Sequence, residues 1–374
     1  MMNILYYFQE LGSPMFQWQR THLIDEFERH GCIVEVFNPL LFESPDEANE
    51  KLCQRLNKGG VDLFFTNVCY YKMLYVETLQ YIKRIGIPSV SLRCDNLVIP
   101  FNDRILAPYF DVVWLTAIET KYLYDKWGVK TVFAPYAANP NTFCYSEQQL
   151  ERKVSFIGTP YGSRSIMINS LTSSGVNVDL FYGEQQGVQA HMKELFQTKY
   201  DIIQQSVPVI LFNRLRFKEG RHLIRGKIAN MLRGCVSVNE SEYLTRLYSV
   251  HPSEISKYYS KYSLSLASTS TNHTDALREP LKIVNLRNFE IPMSGGVEIC
   301  KFNEELAGYF EDGKEIIFYD TNEELIDKAR YYTQKASDKE IYDLKRAARK
   351  RAENEHTWWK RFCHILDFLG IIGE

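Results

Sequence analysis

Short apolar runs alternate with longer amphipathic stretches from the first residues onward. Residues 3–8 and 33–37 are apolar-rich runs of strand length, whereas 16–30 and 45–57 repeat apolar positions at helical spacing. The alternation continues with strands predicted over 62–66, 89–92, 112–116 and 131–134. Between them lie helices predicted over 76–85, ended by Gly86, and 119–127, closed by Gly128. Strands alternating with helices of this length predict a parallel sheet covered on both faces. In open sheets of that kind, ligands lie at the carboxyl ends of the strands.

The pattern breaks at residues 135–144 (Pro-Tyr-Ala-Ala-Asn-Pro-Asn-Thr-Phe-Cys), a stretch of prolines and polar turn formers that reads as an interdomain linker. A second series then starts: a strand over 153–157, the turn 158–163, a helix over 164–173 and a strand over 178–182. An apolar run at 207–212 follows, then a long basic amphipathic segment reaching 232. Strands over 263–267, 297–300 and 316–319 come next, with a helix holding Glu290 and further helices over 322–334, 338–355 and 358–369. The expected architecture is α/β, with two Rossmann-like domains facing across a cleft. Residues 1–140 form the first domain, 150–355 the second, and the final helix at 356–374 packs back on the first. No short repeat or low-complexity tract interrupts this order.

Length agrees with that division, since 374 residues exceed one ordinary core. Hydrophobic residues at 45% and charged residues at 24% are ordinary for a globular chain, while the aromatic share of 14% is high. A formal net charge of −2 argues against a surface built throughout for nucleic acid. The eight cysteines are scattered without Cys-x-x-Cys pairs or zinc-ligand spacing, as expected of reduced thiols. No secretory leader and no membrane-spanning stretch is evident, so the expected location is cytoplasmic, with a peripheral position on the inner membrane face left open.

The segment Leu286-Arg287-Asn288-Phe289-Glu290-Ile291-Pro292-Met293-Ser294-Gly295-Gly296 combines a cation, a carboxylate and paired glycines within a few turns. A nucleoside diphosphate calls for that set. A carboxylate accepts both ribose hydroxyls, a guanidinium matches a diphosphate through its planar fork, and glycines let backbone approach phosphate closely. The same residues also fit an amphipathic helix closed by a glycine cap, with Arg287 and Glu290 as a solvated pair.

Three other places carry candidate chemistry. Glu10-Leu11-Gly12-Ser13-Pro14 follows the first strand, so that Gly12 and Ser13 could admit an acceptor or phosphate, or simply form a turn. Leu92-Arg93-Cys94-Asp95-Asn96 ends a strand where substrates lie; Asp95 is a candidate general base or orienting carboxylate, with Arg93 and Asn96 on the acceptor side. The alternative reading of Asp95 is a cap for the next loop. In the second half, the turn 158–163 and Arg164 place Gly158 and a cation at the start of a helix. A cation is unfavourable at the positive end of a helix dipole, which favours service to an anion over plain solvation.

From Val154 onward the ordered signals resemble the group 1 superfamily of glycosyltransferases with the GT-B fold, in particular the branch named for the spore maturation protein CgeB. The matching features are Val154-Ser-Phe-Ile-Gly-Thr159, Arg164, Pro252-Ser-Glu-Ile-Ser-Lys-Tyr-Tyr259 and Val284-Asn-Leu-Arg-Asn-Phe-Glu-Ile-Pro-Met-Ser-Gly-Gly296. Gly313-Lys-Glu-Ile-Ile-Phe-Tyr319, Asn322-Glu-Glu-Leu325 and His356-Thr-Trp-Trp-Lys-Arg361 complete the series. The resemblance implies donor-side roles for Gly158, Arg164, Asn285, Arg287, Glu290, Gly295 and Gly296, with Glu290 holding the ribose. Glu290 and Glu298 have the spacing of the superfamily's paired glutamates. The glycine five residues after Glu290 instead aligns it with the second of that pair and puts Lys282 at the first. Lys282 and Arg287 would then neutralise the departing diphosphate.

The resemblance implies a metal-independent, retaining transfer from a nucleoside diphosphate sugar to a hydroxyl of a glycan, glycolipid or protein, with no cofactor. A non-hydrolysing sugar-nucleotide epimerase and a non-catalytic nucleotide-sugar or glycan binder are the alternatives. The basic run at 214–233 (Arg214, Arg216, Lys218, Arg221, Arg225, Lys227 and Arg233 against Glu219) is either a solvated face or a peripheral membrane contact.

Overall fold

The computed structural model describes residues 1–10, 14–68, 72–183, 207–234, 236–271 and 273–371. It divides into two compact units: Met1–Pro135 with Ala190–Arg221 and Trp358–Glu374, and Tyr136–Gln189 with His222–Thr357.

The first unit is built on six parallel strands: β1 (Asn3–Tyr7), β2 (Ile33–Phe37), β3 (Leu63–Thr66), β4 (Ser89–Arg93), β5 (Val112–Leu115) and β6 (Thr131–Phe133). Their order is β2-β1-β3-β4-β5-β6. Residues on both faces of β3, β4 and β5 are buried, as a sheet covered on both sides requires. The covering helix Pro45–Asn57 starts where its sequence dictates. Ser44 accepts a hydrogen bond from Glu47 N at 3.1 Å and Pro45 occupies the first turn. Helix Trp358–Phe368 also belongs here, with Phe362 stacked on Phe27 at 4.0 Å and Trp358 edge-on to Trp18 at 5.3 Å.

The second unit repeats the design with β7 (Glu151–Ile157), β8 (Val178–Phe181), β9 (Leu244–Leu247), β10 (Tyr262–Leu266), β11 (Glu298–Lys301) and β12 (Ile317–Tyr319). All are parallel, in the order β12-β11-β10-β7-β8-β9. Counted from β7, this is the doubly wound dinucleotide-binding order, and the chain reverses its winding between β7 and β10. That gap is where such sheets bind ligands. Ser155 and Ser265 face each other across it with their hydroxyls 3.0 Å apart.

Helix Asp338–Glu355, capped by Ser337, braces this unit from one side. Its Arg349 gathers three main-chain carbonyls. One guanidinium nitrogen donates to Phe143 O and Met293 O, and the other to Pro140 O at 3.3 Å.

Two elements depart from the expected pattern. β9 departs from the expectation: its Leu-Thr-Arg-Leu stretch lies at the sheet edge, is partly to largely exposed and carries no apolar run to betray it. The run at 207–212 lies in a helix, Val207–Leu215, none of whose residues is buried. Among the described residues no helix is long and apolar enough to cross a membrane.

Candidate functional site

The end of β7 and the end of β10 open into a cavity of about 280 Å³. From the turn after β7 come Gly158 and Thr159, from the loop after β10 comes Ser268, and Arg164, Asn285 and Arg287 close the sides. Four residues expected on the donor side, Gly158, Arg164, Asn285 and Arg287, therefore line one cavity, although they span some 130 positions of sequence.

Gly158 has φ +141° with open space where a side chain would stand, which lets a ligand approach its backbone closely, while its N–H donates to Phe181 O at 3.1 Å. Helix Ser163–Ser173 follows the turn and directs its first N–H groups to this end of the sheet. Gly162, at φ +59°, precedes it; a Cβ there would lie 3.1 Å from the Asp275 carboxylate oxygens. Arg164 folds back over the turn, donating to Thr159 O at 3.2 Å with its guanidinium 4.4 Å from the Tyr161 ring centre.

The opposite wall is the start of helix Arg287–Met293. Asn285 Oδ1 accepts from Arg287 N at 3.0 Å and Asn285 Nδ2 donates to Ser268 O at 2.9 Å, which ties this helix to the loop after β10. Arg287 donates to Glu290 Oε2 at 2.7 Å and lies near the Tyr259 ring. About a third of the Arg287 side chain is exposed against 6% for Glu290, so the cation is the accessible member of the pair. Burial pushes the Tyr259 hydroxyl above its ordinary range, keeping it a neutral donor beside Arg287.

The remaining expected donor-side residues, Glu290, Gly295 and Gly296, are not in the lining of this cavity. Gly295, at φ +71°, closes helix Arg287–Met293. Its N–H donates to Pro292 O and that of Gly296 to Ile291 O, both at 2.9 Å, a left-handed helix cap. The Tyr145 ring packs where a Cβ of Gly295 would stand, and Gly296 meets the Tyr259 carbonyl. Lys282 donates to Phe302 O at 2.8 Å and lies over the Phe302 ring. Glu298, 1% exposed, accepts from Asn288 Nδ2 at 2.5 Å inside the core. Burial pushes its carboxyl up to about 7, against the opposing hydrogen bond from Asn288.

A second cavity, of about 400 Å³, adjoins the first through Ser268. Asp275, Arg278, Lys301 and Asn322 are among its lining residues. Sequence reasoning assigned nothing there, and it gave Tyr259, Thr159 and Ser268 no role. Their positions follow from β10 lying beside β7, which spacing along the chain does not reveal.

In the first unit, Asp95 follows β4 and is exposed, with φ +56°, the left-handed region that a non-glycine residue rarely adopts. Its expected partners are turned inward. Arg93 is 3% exposed, paired with Asp103 at 3.2 Å and donating to Asn67 O at 3.1 Å. Asn96 links the loops after β4 and β5, donating to Ala117 O and Thr120 Oγ1 at 2.7 and 2.8 Å. Gly12 and Ser13 lie outside the described residues. Among the described residues, no three His, Cys, Asp or Glu side chains are grouped to hold a metal ion.

Residues 223–367 match the family model Glyco_trans_1_2, described as glycosyl transferase-like. Solved structures with the same fold align over nearly the whole chain. HepE of Anabaena, in complex with UDP and glucose, is 13% identical, with 100% of both chains covered and a TM-score of 0.56. An alpha-glucosyltransferase in complex with UDP-glucose and DNA containing an abasic site is 14% identical over 99% of both chains, TM-score 0.59. Sucrose-phosphate synthase of Thermosynechococcus elongatus is 11% identical over 99% of both, TM-score 0.55. No curated protein matches the sequence. Identities this low establish the fold: the chain is a pair of Rossmann-like units of GT-B type, with a glycosyl transferase-like region in its C-terminal part.

Proposed function

We propose that this chain, a GT-B protein with a glycosyl transferase-like C-terminal region, transfers a sugar from a nucleoside diphosphate sugar to a hydroxyl acceptor. One observation carries the reading: the only-glycine backbone at 158, the helix Ser163–Ser173 start, Arg164 and Arg287 converge on one cavity at the winding reversal of the second sheet. A helix N-terminus, a glycine that allows close approach and two guanidinium groups suit a diphosphate, and they stabilise charge as it develops on the leaving group. Glu290, beside Arg287, accepts the ribose hydroxyls. Two structural neighbours hold UDP-glucose or UDP with glucose, which favours a UDP-sugar donor here.

Asp95 orients or deprotonates the acceptor hydroxyl from the carboxyl edge of the first sheet, its strained backbone being the kind of cost found at working sites. The reaction in this reading needs no cofactor and no metal, and retains the anomeric configuration. Lys282 is kept as a diphosphate contact only on the strength of the family pattern, since its amine is directed to Phe302 O. The acceptor is a glycan, glycolipid or protein, the setting is cytoplasmic, and residues 214–233 provide a peripheral membrane contact.

Incubation with a panel of nucleotide sugars and hydroxyl acceptors tests the proposal. Release of nucleoside diphosphate together with a glycosylated acceptor is expected. An epimerised donor, or binding without turnover, would overturn it. Glu290→Ala is expected to weaken UDP binding at least tenfold, the loss of one or two charge-assisted hydrogen bonds.

A further inference from the structure

Helix Val207–Leu215, in the first unit, is amphipathic with its apolar side outward. Ile210, Asn213, Arg214 and Phe217 recur at spacings of three and four and line a small cavity against residues 98–102. Phe217 is 2% exposed, its ring 5.6 Å from that of Phe101. Pro208, Leu211, Phe212 and Leu215 keep the same spacing on the opposite face. Of these, Leu211, Phe212 and Leu215 are 46%, 61% and 50% exposed. A helix docked on a soluble surface carries the reverse arrangement.

Charge is sorted in the same way. Arg216, Lys218 and Arg221 are exposed at the border of the apolar face. Arg216 is held over the rings of Phe101 and Phe212 at 5.3 and 5.4 Å. The one acid between 207 and 221, Glu219, is 5% exposed and turned inward, accepting from the Tyr122 hydroxyl at 2.9 Å. What faces solvent is an apolar stripe edged by cations with no exposed carboxylate in this stretch. That pairing matches the headgroup layer of an anionic bilayer, where apolar side chains enter the acyl boundary and cations meet lipid phosphates.

We propose that the Leu211, Phe212 and Leu215 face, with Arg216, Lys218 and Arg221 at its rim, seats in an anionic membrane surface. The inference rests on the peripheral contact proposed above, not on sugar transfer, and makes the apolar stripe its anchor. Because the inner face of the helix packs on residues 98–102, just after Asp95, docking of its outer face would bring the loop that carries the acceptor-side carboxylate near the bilayer. A lipid-borne hydroxyl is the acceptor this placement favours.

Full-length protein is sedimented with vesicles of phosphatidylcholine, with and without phosphatidylglycerol. Binding to the anionic vesicles alone, weakening as salt rises, is expected. Leu211→Asp with Phe212→Glu should weaken it at least tenfold. Arg216→Gln, Lys218→Gln and Arg221→Gln together should weaken it about a hundredfold. Circular dichroism and thermal midpoint should hold for each variant, since every altered side chain is exposed. Absence of sedimentation on either vesicle, or equal sedimentation on both, overturns the proposal together with the membrane contact. Loss with the charge variant but not the apolar one overturns the anchor and leaves a purely basic contact. A concentration-dependent dimer that Phe212→Glu dissolves, without vesicle binding, assigns the face to a second copy and overturns the membrane assignment.

Discussion

Gly295→Ala separates two roles that a glycine after a nucleotide-binding helix can have. The structure makes it a cap: φ is +71°, and an added Cβ would lie 2.1 Å from Cδ2 of Tyr145. Forcing alanine into the left-handed region costs about 1–2 kcal/mol, and overpacking against a fixed ring costs about 1–3 kcal/mol. The stiffer unfolded chain returns roughly 0.5 kcal/mol, so the net loss is about 2–4 kcal/mol. The five tryptophans all lie in the first unit, so urea unfolding is followed by far-ultraviolet circular dichroism, which reports the second unit as well. In a Tyr145→Ala background the further loss from Gly295→Ala should shrink to the backbone part of about 1–2 kcal/mol. A Gly295→Ala protein that keeps its stability within about 0.5 kcal/mol but no longer binds UDP would refute the packing argument, because the space left by the absent Cβ would then belong to the ligand.

Three further outcomes are expected. Gly158→Ala, with open space around the position, should cost only backbone strain of about 1–2 kcal/mol while reducing UDP affinity in calorimetry; unchanged affinity would remove Gly158 from the site. Asp95→Gly should relieve its positive φ and stabilise the first unit by about 1 kcal/mol, yet lower kcat for transfer with little change in donor KM; full activity would dismiss Asp95 as the acceptor-side group. Two buried groups should tilt stability with pH in opposite directions. Glu298, raised from 4.5 to about 7, holds its proton longer folded than unfolded, so stability falls as pH rises between those values, by at most about 3 kcal/mol. Lys345, lowered from 10.5 to about 7 by burial, gives stability that rises over that range. Denaturation across pH should show the falling limb flattened by Glu298→Gln and the rising limb by Lys345→Met; unchanged slopes would contradict both assignments.

Much of the fold was legible because single positions dictate it. Ser44 and Pro45 start one helix and Ser337 another, and both run over the residues that spacing predicts, Pro45–Asn57 and Asp338–Glu355. Buried parallel strands announced themselves as apolar runs, whereas the exposed edge strand β9 did not. The apolar run at 207–212 was read without its outward orientation, which depends on what Ile210 and Phe217 meet. At the candidate site, Gly158, Arg164 and Arg287 were readable from local chemistry, since glycine turns and helix-start cations have local causes, whereas Asn285 came only with the family resemblance. Tyr259 and Ser268 join them only through strand order. Arg93 and Asn96 read as acceptor contacts because polar side chains at the carboxyl end of a strand lie where ligands bind, but their partners Asp103, Ala117 and Thr120 hold them inside.

Arg349 takes up carbonyls from Pro140, Phe143 and Met293 with a single planar head. A lysine has the charge but not the width, so even this conservative exchange would leave one or more of those oxygens without a donor. The residue thus behaves as a rivet between the segment at 140–143 and the tail of the helix that bears Arg287 and Glu290. Strain introduced at either end should therefore be felt at the other.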